Sequence, residues 1–397
     1  MTVDPTGETG TATSPAEALV PAAELGAYLF EAIDDPGELT ARLCAIESVS
    51  GNEAAIADAV AEVLARIGAG DGPDLEILRD GDTIVARTRL SRPARIVVAG
   101  HLDTVPVEDN LPPHRLVLRG AEYPDDEVVW GRGACDMKAG VAMALVTAAA
   151  LRSPKYDISW VFYDNEEVDA ARNGLGRVSR NHPEWLEGDF AILGEPSNAS
   201  VEGGCNGTIR VDVTTAGVRA HSARAFMGVN AIHAAAEVLT RLAEYESRTV
   251  TVDGLDYRES LSAVNIRGGI AGNVVPDECV ISVNYRFAPN RSTAEAEEFL
   301  RDFFTGFDLV VTDAAEGARP GLDRQIARDF IDTLGLEPAP KLGWTDVSRF
   351  SALGVPAVNF GPGNPLYAHK SDEHVRVAEV DQAAQALLAY LEEGSRP

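Results

Sequence analysis

The sequence predicts an α/β fold, a mixed sheet flanked by helices, interrupted by a smaller α+β domain. Three observations predict it. Short apolar, β-branched runs (Ile96 to Ala99, Ile158 to Tyr163, Phe190 to Leu193, Pro356 to Phe360) recur between stretches of helical periodicity. Each run stops abruptly and hands over an acid or an imidazole: His101 and Asp103, then Asp164 to Glu167, then Glu195, then His369. Ligand sites of open α/β sheets lie outside the carboxyl ends of their strands, so these endings point to one cleft. Between Asn206 and Ala314 the order becomes strand, helix, strand, strand, helix, strand, which is ferredoxin-like.

At 397 residues the chain is long for one core, which agrees with two domains. Hydrophobic and charged fractions of 45% and 24% are those of an ordinary globular protein. The formal net charge of −28 excludes nucleic acid and anionic membranes as natural partners, while a local arginine can still take a small anion. No apolar run is long enough to span a bilayer. Residues 1–21 lack a basic segment followed by an apolar one, and read as a disordered extension rather than a secretory signal. Cys44, Cys135, Cys205 and Cys279 have no paired spacing, so reduced thiols and a cytoplasmic location are expected.

Taken in order, helices are expected over Pro36 to Glu47 and Glu53 to Ile67, with Ser48 to Gly51 breaking between them. Strands follow near Leu75 to Leu78 and Thr83 to Thr88, and then the run ending at His101. A Gly-punctuated turn, Val128 to Gly140, leads into an Ala-rich helix reaching Leu151. In the inserted domain, strands are expected over Ile209 to Thr215, Ser262 to Ile266, Cys279 to Phe287 and Phe307 to Val311. Helices are expected over Val229 to Tyr245 and Thr293 to Phe304. The chain thus divides into residues 22–205 and 315–397 around an insertion of 206–314.

The acids and imidazoles carry the chemistry. On a strand, residues i and i+2 share a face, so His101 and Asp103 can meet, with the carboxylate holding the ring. A histidine satisfied at a strand end would look the same, and helix capping alone would account for Asp136. Together, however, His101, Asp136, Glu166, Glu167, Glu195 and His369 place four carboxylates near one another, which is costly without a cation. A pair of divalent metals resolves it, with one carboxylate bridging. If strand geometry continues through Glu166 and Glu167, the two point in opposite directions, one to metal and one free to accept a proton.

Five stretches resemble the signatures of the M20 family of metallopeptidases and acylases. They are His101-Leu102-Asp103-Thr104-Val105-Pro106, Gly131-Arg132-Gly133-Ala134-Cys135-Asp136-Met137-Lys138, Glu166-Glu167, Gly194-Glu195-Pro196-Ser197 and His369-Lys370-Ser371-Asp372-Glu373. Within that family the chain is most similar to the actinobacterial enzymes that desuccinylate diaminopimelate. Thr40 to Glu53, Gly343 to Phe350 and Ala357 to Gly363 support this.

The resemblance implies a zinc-hydrolase-type catalytic domain and a lid and dimerisation domain. It implies two Zn2+, with Co2+ or Mn2+ as substitutes. His101 and Glu195 would hold one ion, Glu167 and His369 the other, and Asp136 would bridge. Asp103 would orient His101, and Glu166 would act as general base. Gly217 to Arg224 matches the lid segment whose histidine, here His221, reaches a partner subunit's site and stabilises the oxyanion. Asn273 and Arg286 match lid positions that bind the substrate's polar and carboxylate groups. A small acylated amino acid as substrate and a homodimer follow. The alternatives are other acylases or peptidases of the family: an N-acetylornithine deacetylase, an N-acyl-amino-acid deacylase or a dipeptidase. Two stretches depart from the desuccinylase pattern. Cys205-Asn206-Gly207-Thr208 stands where arginines precede Gly-Ser, and Trp344-Thr345-Asp346 stands where Gly-Thr-Ser is usual. Arg224 is expected to replace the missing cation, and Thr345 to touch substrate.

Overall fold

The computed structural model describes residues 20–119 and 124–393. Nearly all of the expected 1–21 extension lies outside them. The chain divides into two compact units, one running through Glu202 and resuming at 324–337 and 353–397, the other comprising 203–323 and 338–352. The expected 206–314 insertion falls within the second unit, which also takes in 338–352.

In the first unit the strands run side by side as Glu76–Asp80, Thr83–Arg87, Asp157–Tyr163, Arg95–His101, Phe190–Leu193 and Ala357–Asn359. The first two pairings are antiparallel and the rest are parallel. Asp157–Tyr163 is buried along its whole length, and Arg95–His101 is buried from Ile96 onward. Strands covered on both faces need continuous apolar sequence, which is why these runs do not alternate. Helix Ala139–Ala150, built mainly of Ala, Val, Met and Leu, is apolar all round and correspondingly buried. Because the four parallel strands point one way, their carboxyl ends open at one edge. Register sharpens this: His101 lies opposite Tyr163, and Ala99 opposite Leu193. His101 therefore sits beside the turn carrying Glu166 and beside Glu195.

A smaller sheet of His114–Arg119, Pro124–Trp130 and His374–Arg376 was not foreseen from sequence. Its strands are short and carry polar and charged residues among the apolar ones. Pairing of His374 with Trp130 joins the segment after His369 to the start of the Gly131–Lys138 turn.

The second unit holds an antiparallel sheet ordered Ser260–Gly268, Glu278–Phe287, Gly207–Ala216 and Asp308–Ala315. With helices Ala231–Ala243 and Thr293–Phe303, this is the expected ferredoxin-like arrangement. Ile209, Val211, Val213, Ile281, Val283, Tyr285 and Phe287 pack with Ala235, Val238, Ala296 and Leu300. The alternate positions of the two central strands carry Thr208, Arg210, Asp212, Ser282, Asn284 and Arg286 on the other face. Among the described residues no helix is long and apolar enough to cross a membrane.

The turn after Tyr163 is anchored by Asp164. Its carboxylate accepts from Thr83 Oγ1 at 2.7 Å, Arg177 Nη2 at 2.7 Å and Nη1 at 3.0 Å, and Asn165 Nδ2 at 2.8 Å. Burial opposes the ionised form, but Arg177 and the other donors prevail and hold the pKa below the usual carboxylate range. A folded-state pKa below the unfolded value of about 3.9 gives stability that is complete above that value and lost as pH falls through the depressed one. Asp164→Asn is expected to lower unfolding free energy at pH 7 by about 2–3 kcal/mol, because Arg177 keeps part of its head in water. Urea melts at pH 7 and pH 3 should show the gap between variant and parent narrowing in acid.

Candidate metal centre

Asp136 is the hub. Its Oδ1 lies 3.2 Å from His101 Nε2, and its Oδ2 lies 3.3 Å from His369 Nε2. Each carboxylate oxygen thus faces a different imidazole. Capping is not its role: helix Ala139–Ala150 starts three residues later, and Asp136 is extended, with φ −119° and ψ 99°.

Among the described residues, three groups of donors come close enough to hold an ion: His101, Asp136 and Glu195; Asp136, Glu167 and His369; and His101, Glu166 and Glu167. Within each group the ligand atoms lie within 4.8 Å of one another. The first two groups share Asp136, so the arrangement suits two cations joined by one carboxylate. Imidazole nitrogens with carboxylate oxygens are a donor set for zinc and its first-row neighbours.

Protons mark where cations belong. Burial disfavours a charged His101, yet the Asp103 and Asp136 carboxylates outweigh it and hold its pKa well above the usual range. His369 is pushed up to about 10 by hydrogen bonds to Asp136 and Glu167, the latter 2.9 Å from Nε2. Burial alone would raise Asp136, but both imidazoles hold it far below the ordinary carboxylate range.

Asp103 does more than sequence suggested. His101 Nδ1 is 3.0 Å from the Asp103 main-chain oxygen and 3.5 Å from its Oδ1, so the carbonyl is the nearer partner of the ring. The carboxylate instead collects the turn that carries the two glutamates. Its Oδ1 accepts from Glu166 N at 2.9 Å, and its Oδ2 from Glu167 N at 3.1 Å and Ser50 Oγ at 2.7 Å.

The expectation that Glu166 and Glu167 diverge is corrected by this turn. The strand ends at Tyr163, and Asn165 adopts φ 58°, which breaks the period-two alternation. Both carboxylates then reach one His101 cluster. His369 also lies at positive φ, 64°. Such conformations in non-glycine residues are held only where surrounding contacts enforce them, and they concentrate at functional sites.

Glycines permit the close approach of the Asp136 and Glu195 segments. A Cβ on Gly140 would stand 2.0 Å from the Gly194 carbonyl oxygen, and one on Gly361 2.2 Å from the same atom. Glu53 was also missed from sequence: its buried carboxylate accepts from Gly51 N at 2.8 and 2.9 Å and from Asn165 N at 3.2 Å. The Ser50-Gly51 break beside an acid was the available signal.

The remaining expected site residues belong to the second unit. Strand Ala220–His221 pairs with Val274–Val275, and Ser222 N donates to the Asn273 carbonyl at 2.9 Å, which places His221 near Asn273. His221 is exposed, and its Nδ1 accepts from Ala223 N at 3.0 Å, leaving the neutral ring's proton on Nε2. Arg224 is exposed too, at a non-helical break (φ −134°). Thr345 is buried. Arg286 is half-buried, and its Nε donates to Asn284 Oδ1 at 3.1 Å. Burial lowers its pKa first, and the neighbouring Arg210 lowers it further. Arg210 was not singled out from sequence. Its place two residues after Thr208, on the face that carries Arg286, was the signal.

Residues 97–393 match the family model described as Peptidase family M20/M25/M40. The chain is 50% identical over 359 residues to a Mycobacterium tuberculosis protein provisionally named succinyl-diaminopimelate desuccinylase DapE, covering 90% of this chain and 98% of that one. It is 42% identical over 373 residues to the succinyl-diaminopimelate desuccinylase of Corynebacterium glutamicum, with 92% and 98% covered. Among crystal structures, a tripeptidase from Staphylococcus aureus superposes with a TM-score of 0.69 at 20% identity, covering 94% of this chain and 99% of that one, a likeness of fold.

Metal must displace the protons that the two raised imidazoles hold, so apparent affinity is expected to fall as pH is lowered. Calorimetric titration of metal-free protein with Zn2+ at pH 7.5, in buffers of differing ionisation enthalpy, should show proton release. A binding heat independent of buffer would contradict it.

Proposed function

The chain belongs to peptidase family M20/M25/M40, and from that premise we propose that it hydrolyses N-succinyl-LL-2,6-diaminopimelate to succinate and LL-2,6-diaminopimelate, a step in lysine and meso-diaminopimelate biosynthesis. Identity of 50% and 42% to desuccinylases over nine-tenths of the chain is the observation that carries the reading. The convergence of acids and imidazoles on Asp136 supports it.

Two Zn2+ are the proposed cofactors, with His101 and Glu195 holding one, Glu167 and His369 the other, and Asp136 both. When bound they supply an acidified water, with pKa brought toward ~7, and a polarised amide carbonyl. Glu166 takes the proton of the attacking water as its oxygen bonds to the succinyl carbon. It then returns that proton to the departing amine as the C–N bond breaks. Asp103 keeps Glu166 in range through the main-chain bond to its N–H. His221 serves as a donor to the oxyanion, and its Nε2 proton suits that task. Arg286, with Arg210 beside it, takes the substrate carboxylate, where a planar guanidinium can pair bidentately. Asn273, Arg224 and Thr345 complete the proposed substrate contacts.

A homodimer through the second unit is part of this reading. Strand Ser260–Gly268 is an edge strand, exposed at every position but Leu261. Val264 and Ile266 are 59% and 48% exposed on it, and Ile232 and Leu239 are exposed on helix Ala231–Ala243. An open strand edge carrying apolar side chains is a liability that an isologous partner removes. Ile266→Asp is expected to shift the protein toward monomer in sedimentation velocity. An unchanged dimer would place the interface elsewhere, and a monomeric parent would remove the dimer.

The direct test compares N-succinyl-LL-diaminopimelate, N-acetylornithine and a simple dipeptide as substrates of the zinc-loaded protein. A kcat/KM preference for the first is expected. Activity on either of the others alone would reassign the substrate. Glu166→Gln should lower kcat by about 10²–10⁴-fold while metal content is retained.

A further inference from the structure

Arg132 and Glu373 form a buried ion pair beside the metal centre, and neither offers a side-chain atom to it in the reading above. Arg132 is 2% exposed and Glu373 1%, and Arg132 Nη1 donates to Glu373 Oε2 at 2.9 Å. Taking an ion pair out of water is costly, so a buried pair calls for a reason beyond stability.

Their other bonds supply the reason. Glu373 Oε1 accepts from Cys135 N at 3.0 Å and Asp136 N at 3.1 Å, the main chain of the hub carboxylate itself. Arg132 Nη1 donates to the Lys370 carbonyl at 3.3 Å, next to His369, and Nε donates to the Pro106 carbonyl at 3.1 Å, on the segment leaving His101. Gly131 N donates to the Glu373 carbonyl at 3.0 Å, continuing the pairing of His374 with Trp130. One ion pair therefore ties the three segments that carry His101, Asp136 and His369.

We propose that Arg132 and Glu373 are positioning residues for the metal centre: together they set the distance between the Asp136 main chain and the His369 segment, and so the spacing of the two cation positions. Asp136 must face two imidazoles at once, and a small rotation of its main chain would favour one at the expense of the other. A carboxylate accepting from its own N–H and the preceding one opposes that rotation. Charge-assisted bonds of this kind are about twice as strong as neutral ones.

The inference rests on the two-ion reading but not on the choice of substrate. Metal-free protein, Glu373→Gln, Glu373→Ala and Arg132→Lys are each titrated with Zn2+ alone by calorimetry. Stoichiometry, affinity, thermal melting, and kcat and KM of the zinc-loaded forms are then compared. Loss of outer partners of metal ligands typically costs about 10–100-fold in affinity or activity, and a loss of that size is expected for at least one ion in both Glu373 variants. The kcat should fall in parallel, with KM changed by less than about threefold. Arg132→Lys, which keeps a cation opposite Glu373 but loses the fork to Pro106 and Lys370, should fall between parent and Glu373→Ala. Should Glu373→Ala not fold, Glu373→Gln decides, since it keeps the volume and an acceptor oxygen. Zn2+ affinity for both ions within twofold of the parent in a folded Glu373 variant would overturn the proposal. So would a loss that appears only in KM. Parent protein that binds a single ion would refute the two-ion reading instead, and failure to turn over the succinylated substrate would touch only the functional assignment.

Discussion

The centre of this molecule is governed by one electrostatic constraint: carboxylates gathered at the ends of buried strands repel one another unless positive charge stands between them. Asp136 concentrates the problem, since its two oxygens face His101 and His369 at 3.2 and 3.3 Å while Glu167 lies 2.9 Å from the second ring. Without metal, protons on the imidazoles answer the repulsion, and this is why both rings hold their protons so firmly. In the proposed two-ion reading, cations would take over the protons' task. The elevated imidazole pKa values and the clustering of donors are two expressions of one field.

Given that field, geometry must be imposed from outside the cluster, because mutually repelling groups would otherwise spread. The same solution occurs three times. Asp103 accepts the N–H groups of Glu166 and Glu167, Glu53 those of Gly51 and Asn165, and Glu373 those of Cys135 and Asp136. In each case a buried carboxylate accepts from two main-chain N–H groups of a loop carrying or flanking a site residue, and for Asp103 and Glu373 a side chain, Ser50 or Arg132, donates to it as well. Main-chain donors cannot swing away as a long side chain can, so the loop is fixed with little loss of rotamer entropy. The close approach of Gly140 and Gly361 to Gly194 works to the same end, bringing helix start, strand end and loop into backbone contact.

This explains what the sequence disclosed and what it hid. The principal strands and His101, Glu166, Glu167 and Glu195 were legible because they are local: an apolar run, a stop, and a charged residue within a few positions, whereas Asp136 and His369 stand in Gly-rich stretches and are picked out through the family resemblance. Glu373 and Arg132 lay in stretches already noted, but their contacts were hidden because each is the other's side-chain partner across 241 residues and their main-chain partners lie up to 238 residues away. The divergence expected for Glu166 and Glu167 failed because it assumed that the strand continued, and nothing in Asp164-Asn165 announces a φ of 58°. Strand spacing and the family resemblance both pair Asp103 with His101. The ring is nearer the backbone oxygen of the same residue, a distinction invisible to periodicity. The hairpin of Thr249–Val252 and Leu255–Arg258 was likewise unforeseen, its strands being four residues each.

The departures from the desuccinylase pattern fit the same logic. Cys205 is fully buried, and its thiol lies 3.7 Å from the Thr345 carbonyl oxygen. Burial raises its pKa to about 11, so it is a neutral packing group rather than an acid or nucleophile. A long cation at that position would be buried, or would have to displace the main chain that pairs Cys205 with Ala318. Trp344 is likewise occupied, its Nε1 donating to the Glu316 carbonyl at 3.0 Å and its ring lying under Arg349. The two altered stretches are thus knitted into the second unit's own packing. Arg210 and Arg286 occupy the polar face of a sheet whose other face is the core. Side chains on such a face can be exchanged without disturbing the apolar layer beneath, whereas the residues around Asp136 each satisfy several partners at once. A cation can therefore move from one strand position to another while the hydrolytic centre stays the same, and chemistry is the more firmly encoded of the two.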